Sequence, residues 1–320
     1  MTLRCLRTIT ATLLLAASAV QAQTYPNKPL RIVLPFAPAG PVDVVARLIQ
    51  PKLQELFGQP VVVENRPGAG GNIGVQAVAK SPADGYTILI TSSSIAVNPS
   101  LTPTAGYDAD RDFVGIANIA TQPNLLIVHP SINAKNIEEL IRLARSSKLA
   151  YASPGSGTTP HLTAENLFRA LAKVDVTAIH FRGAGPAAAA VLGNEPPIGS
   201  LAVTAAMPLV KSGKVRALAI SSSQRHPTLP DVPTFVESGF PTIQDYTWVG
   251  MFVPAGTPND IVERLNSAVN RIIRMPDVRE RLEGLAFDAV GGTPREFADY
   301  VRAEVIRWAK VVKDTGAKLE

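Results

Sequence analysis

The chain has 320 residues, of which 46% are apolar and 18% charged. That balance excludes a disordered chain, and the length suits two lobes with sizeable cores. The net charge of +5 is spread over interspersed basic and acidic residues, which argues against nucleic-acid binding and leaves room for a mildly positive anion cleft.

Arg4 and Arg7 precede an uncharged run from Ile9 to Val20, and Val20-Gln21-Ala22 puts small residues at the −3 and −1 places. This is the pattern of a secretory signal over residues 1–22, with cleavage expected after Ala22. The apolar run is about 12 residues, short of the ~20 that a spanning helix needs. Loss of the two arginines lowers the charge from +5 to +3. The single cysteine, Cys5, lies before the apolar run, so the mature chain has no thiol nucleophile, thiolate metal site or disulfide. No later stretch is apolar for long enough to span a bilayer, and a soluble mature protein is expected.

Leu30 to Leu34 reads as a short buried strand, and Pro35 to Pro41 as a turn-rich loop. Val45, Leu48, Ile49, Leu53, Leu56 and Phe57 then recur at helical spacing up to Gly58. Pro51 lies inside that pattern and is expected to kink or restart the helix. Val61 to Val63 is a strand, Ile73 to Ala79 a helix and Tyr86 to Ile90 a strand. The alternation predicts a parallel sheet covered by helices. It resumes with a strand at Leu125 to Val128, a helix at Asn136 to Arg145 and a strand at Leu149 to Ala152. Thr159 is read as the cap of the next helix, with Pro160 at its first position. Ala217 to Ser221 is a strand, the proline-rich His226 to Pro241 a loop, and the tail two helices near 261–274 and 294–313. Two similar α/β lobes follow, with the C-terminal part returning to the first. Lobe 1 is expected over 23–122 plus 224–320, and lobe 2 over 123–223.

Two strand-to-helix loops stand out, Pro35 to Asp43 and Tyr151 to His161. Free backbone N–H groups and the positive helix end point outward at such places, which suits an anion. Ligands of open α/β sheets sit beyond the carboxyl ends of the strands, where these loops lie. Ser156, Thr158 and Thr159 add hydroxyls. The blander reading is two ordinary turns, with Asp43 a helix cap and His161 a packed helix residue. The glycine run Pro67 to Gly74 has Ile73 at the third position of the dinucleotide fingerprint and no phosphate-loop lysine, so no nucleotide cofactor is expected. His129, His161, His180 and His226 lack metal-motif spacing. Ser156 between Gly155 and Gly157 only superficially matches a nucleophile elbow. No catalytic constellation assembles, and an exported α/β hydrolase is the weaker alternative.

The segment Pro35-Phe36 through Asp43 resembles the first ligand loop of the substrate-binding proteins of tripartite tricarboxylate transporters, the Bug family. So do Glu64 to Gly74, Asp84 to Thr87, Tyr151 to His161, Phe181-Arg182-Gly183, Val232 to Gly239, and Trp248-Val249-Gly250 leading to Pro254 to Pro258. The resemblance covers nearly the whole mature chain. It implies an α/β type II periplasmic binding fold, two lobes joined by a hinge around a ligand cleft. It implies a periplasmic receptor, with no cofactor or metal, that captures a small organic mono- or dicarboxylate for an integral membrane transporter. A monomer is expected, and the same flytrap serving a signalling partner is the alternative. Carried over by position, the ligand-holding residues are Phe36, Ala37, Ala39, Gly40 and Asp43 on one lobe and Ser153, Gly155, Gly157, Thr158 and His161 on the other. Ser92 and Ser93 fall where the family lines its cleft. Two departures are visible. Ala39 replaces a frequent glycine, which requires a negative φ there. The segment Gly193 to Ser200 lacks an aspartate that many relatives carry near Pro197, and it is placed towards the variable end of the ligand.

Overall fold

The computed structural model describes residues 25–102 and 105–317; the secretory segment and its cleavage point lie outside the described residues. Strand β1 (Leu30–Leu34) is buried except at Arg31 and pairs in parallel with β2 (Val61–Asn65) and β3 (Thr87–Ser92). Helix α1 (Pro41–Phe57) covers one face. Val42, Val45, Ala46, Ile49 and Leu53 point inward at helical spacing, and Gly58 ends the helix at φ +63°. The helix runs unbroken through Pro51, contrary to the expected kink; Pro51 is exposed, so the missing hydrogen bond faces water. Helix α2 (Asn72–Ala79) and helix α3 (Ser94–Leu101) lie on the other face.

The 16-residue strand β4 (Phe113–Val128) belongs to both lobes. Through Pro123 it pairs antiparallel with β9 (Tyr246–Pro254), and it also pairs with β10 (Asp288–Gly291). From Asn124 onward it pairs with β7 (Ile198–Ala202) and β8 (Arg216–Ile220). In the second lobe β5 (Leu149–Ser153) runs parallel to β7 and to β6 (Val176–His180). The sheet is therefore mixed, not parallel throughout. The antiparallel members include the strands that leave and re-enter the first lobe.

Four helices complete the second lobe: α4 (Ile137–Ser146), α5 (Thr159–Glu165), α6 (Ala184–Leu192) and α7 (Val203–Lys211). Helix α4 shows why such segments are legible. Ile137, Leu140, Ile141 and Ala144 form one buried stripe, and the Asn136 side chain caps the helix by accepting from the Glu139 N–H at 2.8 Å. Helices α8 (Asn259–Ile273) and α9 (Pro276–Gly284) pack with α1 in the first core. The stretch 224–245, expected in lobe 1, packs elsewhere. Phe235 and Ile243 are buried in the core of the second lobe, so the chain returns at Asp245–Tyr246 rather than at 223.

The last helix, α10 (Pro294–Thr315), opens with a capping box between Thr293 and Glu296. It runs behind both lobes. Trp308 and Val312 share a core with Val97 and Leu101 of α3 and with Leu162 of α5. The Arg307 guanidinium donates to Asp245 at 3.0 Å, and the other oxygen of Asp245 accepts from the Thr163 hydroxyl of α5 at 3.0 Å. Among the described residues no helix is long and apolar enough to cross a membrane.

Candidate ligand site

The first loop joins β1 to α1. Ala39 adopts φ +66°, not the negative value its methyl group prefers. Asp43 explains how this is held. One of its oxygens accepts from the Ala39 N–H at 3.2 Å; the other accepts from Arg47 at 3.0 Å and from the Asn65 amide at 3.2 Å. The Asn65 amide also donates to the Phe36 carbonyl at 2.9 Å. Burial raises the Asp43 carboxyl, but the hydrogen bonds from Arg47, the Ala39 N–H and Asn65 outweigh it and hold the pKa below the usual carboxylate value. Asp43 is thus spent on shaping the loop and does not line the cleft. Neither do Ala37 and Ala39: the Ala37 N–H donates across the cleft to the Arg182 carbonyl at 3.0 Å, and Ala39 is exposed.

The second loop, between β5 and α5, is held from within. The Ser153 hydroxyl accepts from the Gly155 N–H at 3.2 Å and donates to the Gly155 carbonyl at 3.1 Å. The Thr158 hydroxyl donates to the same carbonyl at 2.8 Å. Thr158, not Thr159, is the residue before the first helical turn, and its side chain makes no capping bond. His161 is buried, and its Nδ1 accepts from the Gly157 N–H at 3.2 Å. A backbone donor there leaves the proton on Nε2. Burial, with His180 edge-on at 4.6 Å and Arg169 beyond, lowers the His161 pKa to about 3, so the ring is neutral at physiological pH. His161 therefore braces the loop and brings no positive charge to the cleft.

Between the lobes lies a small cavity of about 30 Å3, room for one or two water molecules as the lobes stand. Of the residues expected from sequence, Phe36, Gly40, Ser92 and Thr158 line it. Ser93 sits just behind, in hydroxyl contact with Thr159 across the lobes. The other lining residues are Pro41, Val42, Pro154, Thr159, Pro160, Ala184, Ala202 and Thr247. Three helix starts meet here: α1 at Gly40–Val42, α5 at Thr158–Pro160 and α6 at Ala184. None carries a side-chain cap, which is equally true of α2, α3, α7, α8 and α9. Uncapped first turns leave N–H groups and the positive dipole end directed at the cavity. No charged side chain lines it. The Thr158 and Thr247 hydroxyls already donate their hydrogens, to the Gly155 carbonyl and the Asn124 side-chain oxygen. An anion would thus be met chiefly by backbone N–H groups.

The lobes are closed on this cavity, and glycines permit the approach. A methyl group at Gly70 would stand 2.4 Å from the Ser156 carbonyl, and one at Gly157 would stand 1.7 Å from Asn98. The glycine run 67–71 thus forms one lip of the cleft mouth opposite Pro154 to Ser156. Gly193 to Pro197 lies at the opposite end of β7 from Ala202, about 13 Å of strand away. The Asn194 side-chain oxygen accepts from Ser131 there. That segment therefore does not line the cavity, and of β7 only Ala202 does. Among the described residues no group of His, Cys, Asp or Glu side chains is placed to hold a metal ion.

The family model described as "Tripartite tricarboxylate transporter family receptor" matches residues 45–317. BugT of Bordetella pertussis is 38% identical over 308 residues, covering 95% of this chain and 94% of BugT. Among solved structures, Rpa4515 of R. palustris with adipate superposes with a TM-score of 0.88 at 34% identity, covering 92% of this chain and 99% of that one. MatC from Rhodopseudomonas palustris with bound malate gives a TM-score of 0.86 at 35% identity, covering 90% and 100%. A two-lobed fold closed on a cavity where helix starts meet, and kinship along nearly the whole length, lead to one statement: the chain belongs to the tripartite tricarboxylate transporter family of receptors, solute-binding proteins of the Bug type and not enzymes.

Proposed function

We propose that this protein is a periplasmic receptor that closes on one small organic carboxylate and presents it to an integral membrane transporter. The observation that carries the reading is the meeting of three uncapped helix starts from both lobes around a cavity without charged side chains. Peptide N–H groups pointing inward stabilise a carboxylate without a buried counter-charge. Because the donors come from both lobes, the anion binds the closed form better than the open one, and that difference drives closure. The adipate and malate named for two structural neighbours are ligands of the same chemistry. Phe36, Gly40, Ser92 and Thr158 contact the ligand on this reading, while Ala37, Ala39, Asp43, Ser153, Gly155, Gly157 and His161 shape the two loops and Ser93 meets Thr159 across the lobes.

Thermal unfolding of the mature, ligand-free protein against citrate, C4 to C6 dicarboxylates, amino acids, nicotinate and aromatic acids tests it. A ligand at ~100 times its dissociation constant adds ~2.7 kcal/mol, which raises Tm by about 5 °C in a chain of this size. At least one carboxylate is expected to do so. No shift from any member of the panel contradicts the reading.

A further inference from the structure

Asn98 lies on α3, behind the glycine lip of the cleft mouth, and is 0% exposed. Its Nδ2 group donates to the Gly70 carbonyl at 3.1 Å and to the Asn72 side-chain oxygen at 2.7 Å. The Tyr107 hydroxyl donates to that same oxygen at 3.2 Å. A backbone carbonyl can only accept, so the Gly70 bond fixes which end of the Asn98 carboxamide is nitrogen. Both hydrogens of that nitrogen are spent within the first lobe, where they hold the lip in place.

The other end of the amide meets the second lobe. A methyl group on Gly157 would stand 1.7 Å from the Asn98 Oδ1 and 2.8 Å from Leu101, so the Gly157 backbone sits against this oxygen. Oδ1 finds no donor there. The Gly157 N–H is committed to the His161 Nδ1 at 3.2 Å. The hydrogen that takes the methyl group's place is carbon-bound and a weak partner. The acceptor is thus covered by a loop that does not replace its hydrogen bond to water, which is costly. The cost falls on the closed form alone, because Gly157 belongs to the lobe that moves away when the cleft opens.

We infer that Asn98 is a positioning residue of ligand capture: its Nδ2 fixes one lip of the cleft, and its Oδ1 biases the ligand-free protein towards the open form. The inference rests on the reading that a carboxylate draws the lobes shut, and deepens it by naming a group that opposes closure. The Gly70 and Asn72 bonds stay within the first lobe, so they add to stability without favouring either form. The unmet oxygen does the reverse. A ligand must offset it, and the apparent affinity is reduced by the small fraction of protein already closed.

The test pairs calorimetric titration with malate and adipate and small-angle X-ray scattering of the ligand-free protein, for the unaltered chain, Asn98→Ala and Asn98→Ser. Alanine removes both ends of the amide. Serine is also too short to reach Gly157, but keeps a hydroxyl donor on the side of the Gly70 carbonyl. Both variants are expected to melt lower, alanine by more. Both are nevertheless expected to bind the acid about three- to tenfold tighter, the fold-change for recovering part of one unmet hydrogen bond. Without ligand they are expected to show a smaller radius of gyration than the unaltered protein. A residue that only braced the lip would lower melting temperature and affinity together. Unchanged or weaker affinity in both variants overturns the inference and leaves the receptor reading standing. A failure of the receptor reading shows differently, as no binding of either acid by the unaltered protein. The scattering then decides alone, and an unchanged or larger radius in both variants overturns the inference.

Discussion

At the scale of single residues, the site is a case of indirect work. Ala39 is held in the left-handed region by Asp43, Arg47 and Asn65. For a residue with a β-carbon that conformation costs roughly 1–2 kcal/mol. Ala39→Gly is expected to remove the strain and raise stability by about 0.5–1 kcal/mol after the added freedom of the unfolded chain is counted. In a melting experiment that is a rise of about 1–2 °C, with carboxylate affinity little changed. A lowered melting temperature would show that the strain is not there. The loops holding these residues were legible because glycine, proline and hydroxyl residues between a strand and a helix are a local signal. Of the residues in those loops, Gly40 and Thr158 line the cavity, as does Ser92, which the family resemblance pointed to. The resemblance also carried over Asp43 and His161, which here brace the two loops. Thr247, which also lines the cavity, gave no such signal: it sits within a strand, and only pairing across 125 positions of sequence brings it opposite Gln122 of β4.

At the scale of elements, cleft closure depends on how near two loops can come. Gly70 has φ +62°, and a methyl group there would meet the Ser156 carbonyl at 2.4 Å. Gly70→Ala combines backbone strain within lobe 1 with a clash that exists only when the lobes are closed. A stability loss of about 1 kcal/mol is expected from the strain. Titration should show a weakening of tenfold or more for any bound carboxylate. A variant that binds normally would mean that these loops do not meet in the ligand-bound form. The helices with one apolar stripe, α1, α4, α8 and α10, were readable from periodicity alone. Helix α3 was not. Ser94 to Asn98 is buried on every side and Pro99 follows, so no polar face marks its turn. Strand β4 was recognised only in its last quarter, Leu125 to Val128. Gly115, Asn118, Gln122, Pro123 and Asn124 interrupt the apolar pattern, because that stretch serves as the crossing between lobes.

At the scale of the whole molecule, two chain crossings and one helix govern how the lobes sit. β4 leaves the first lobe at Pro123–Asn124, and the chain returns at Asp245–Tyr246. Helix α10 spans the rear, and its Arg307 reaches Asp245, which also holds Thr163 of α5. Burial raises the Asp245 carboxyl, with Arg307 and Thr163 opposing. The cavity-lining start of α5 is thus tied to the point where the lobes join. The two-lobe plan was visible in the repeated strand-loop-helix units and in the family resemblance. The second boundary was not, because 224–245 has no regular period and its place is set by burying Phe235 and Ile243 in the far core.

The central claim is that a carboxylate charge, held by backbone donors of both lobes, draws the cleft shut. The most direct measurement compares each dicarboxylate that binds with its dimethyl ester in titrations of the same ligand-free protein. The account predicts saturable one-site binding of the acid and loss of at least about a hundredfold in affinity for the ester, since charge-assisted bonds are roughly twice as strong as neutral ones and several are lost together. An ester that binds as tightly as its acid would contradict it.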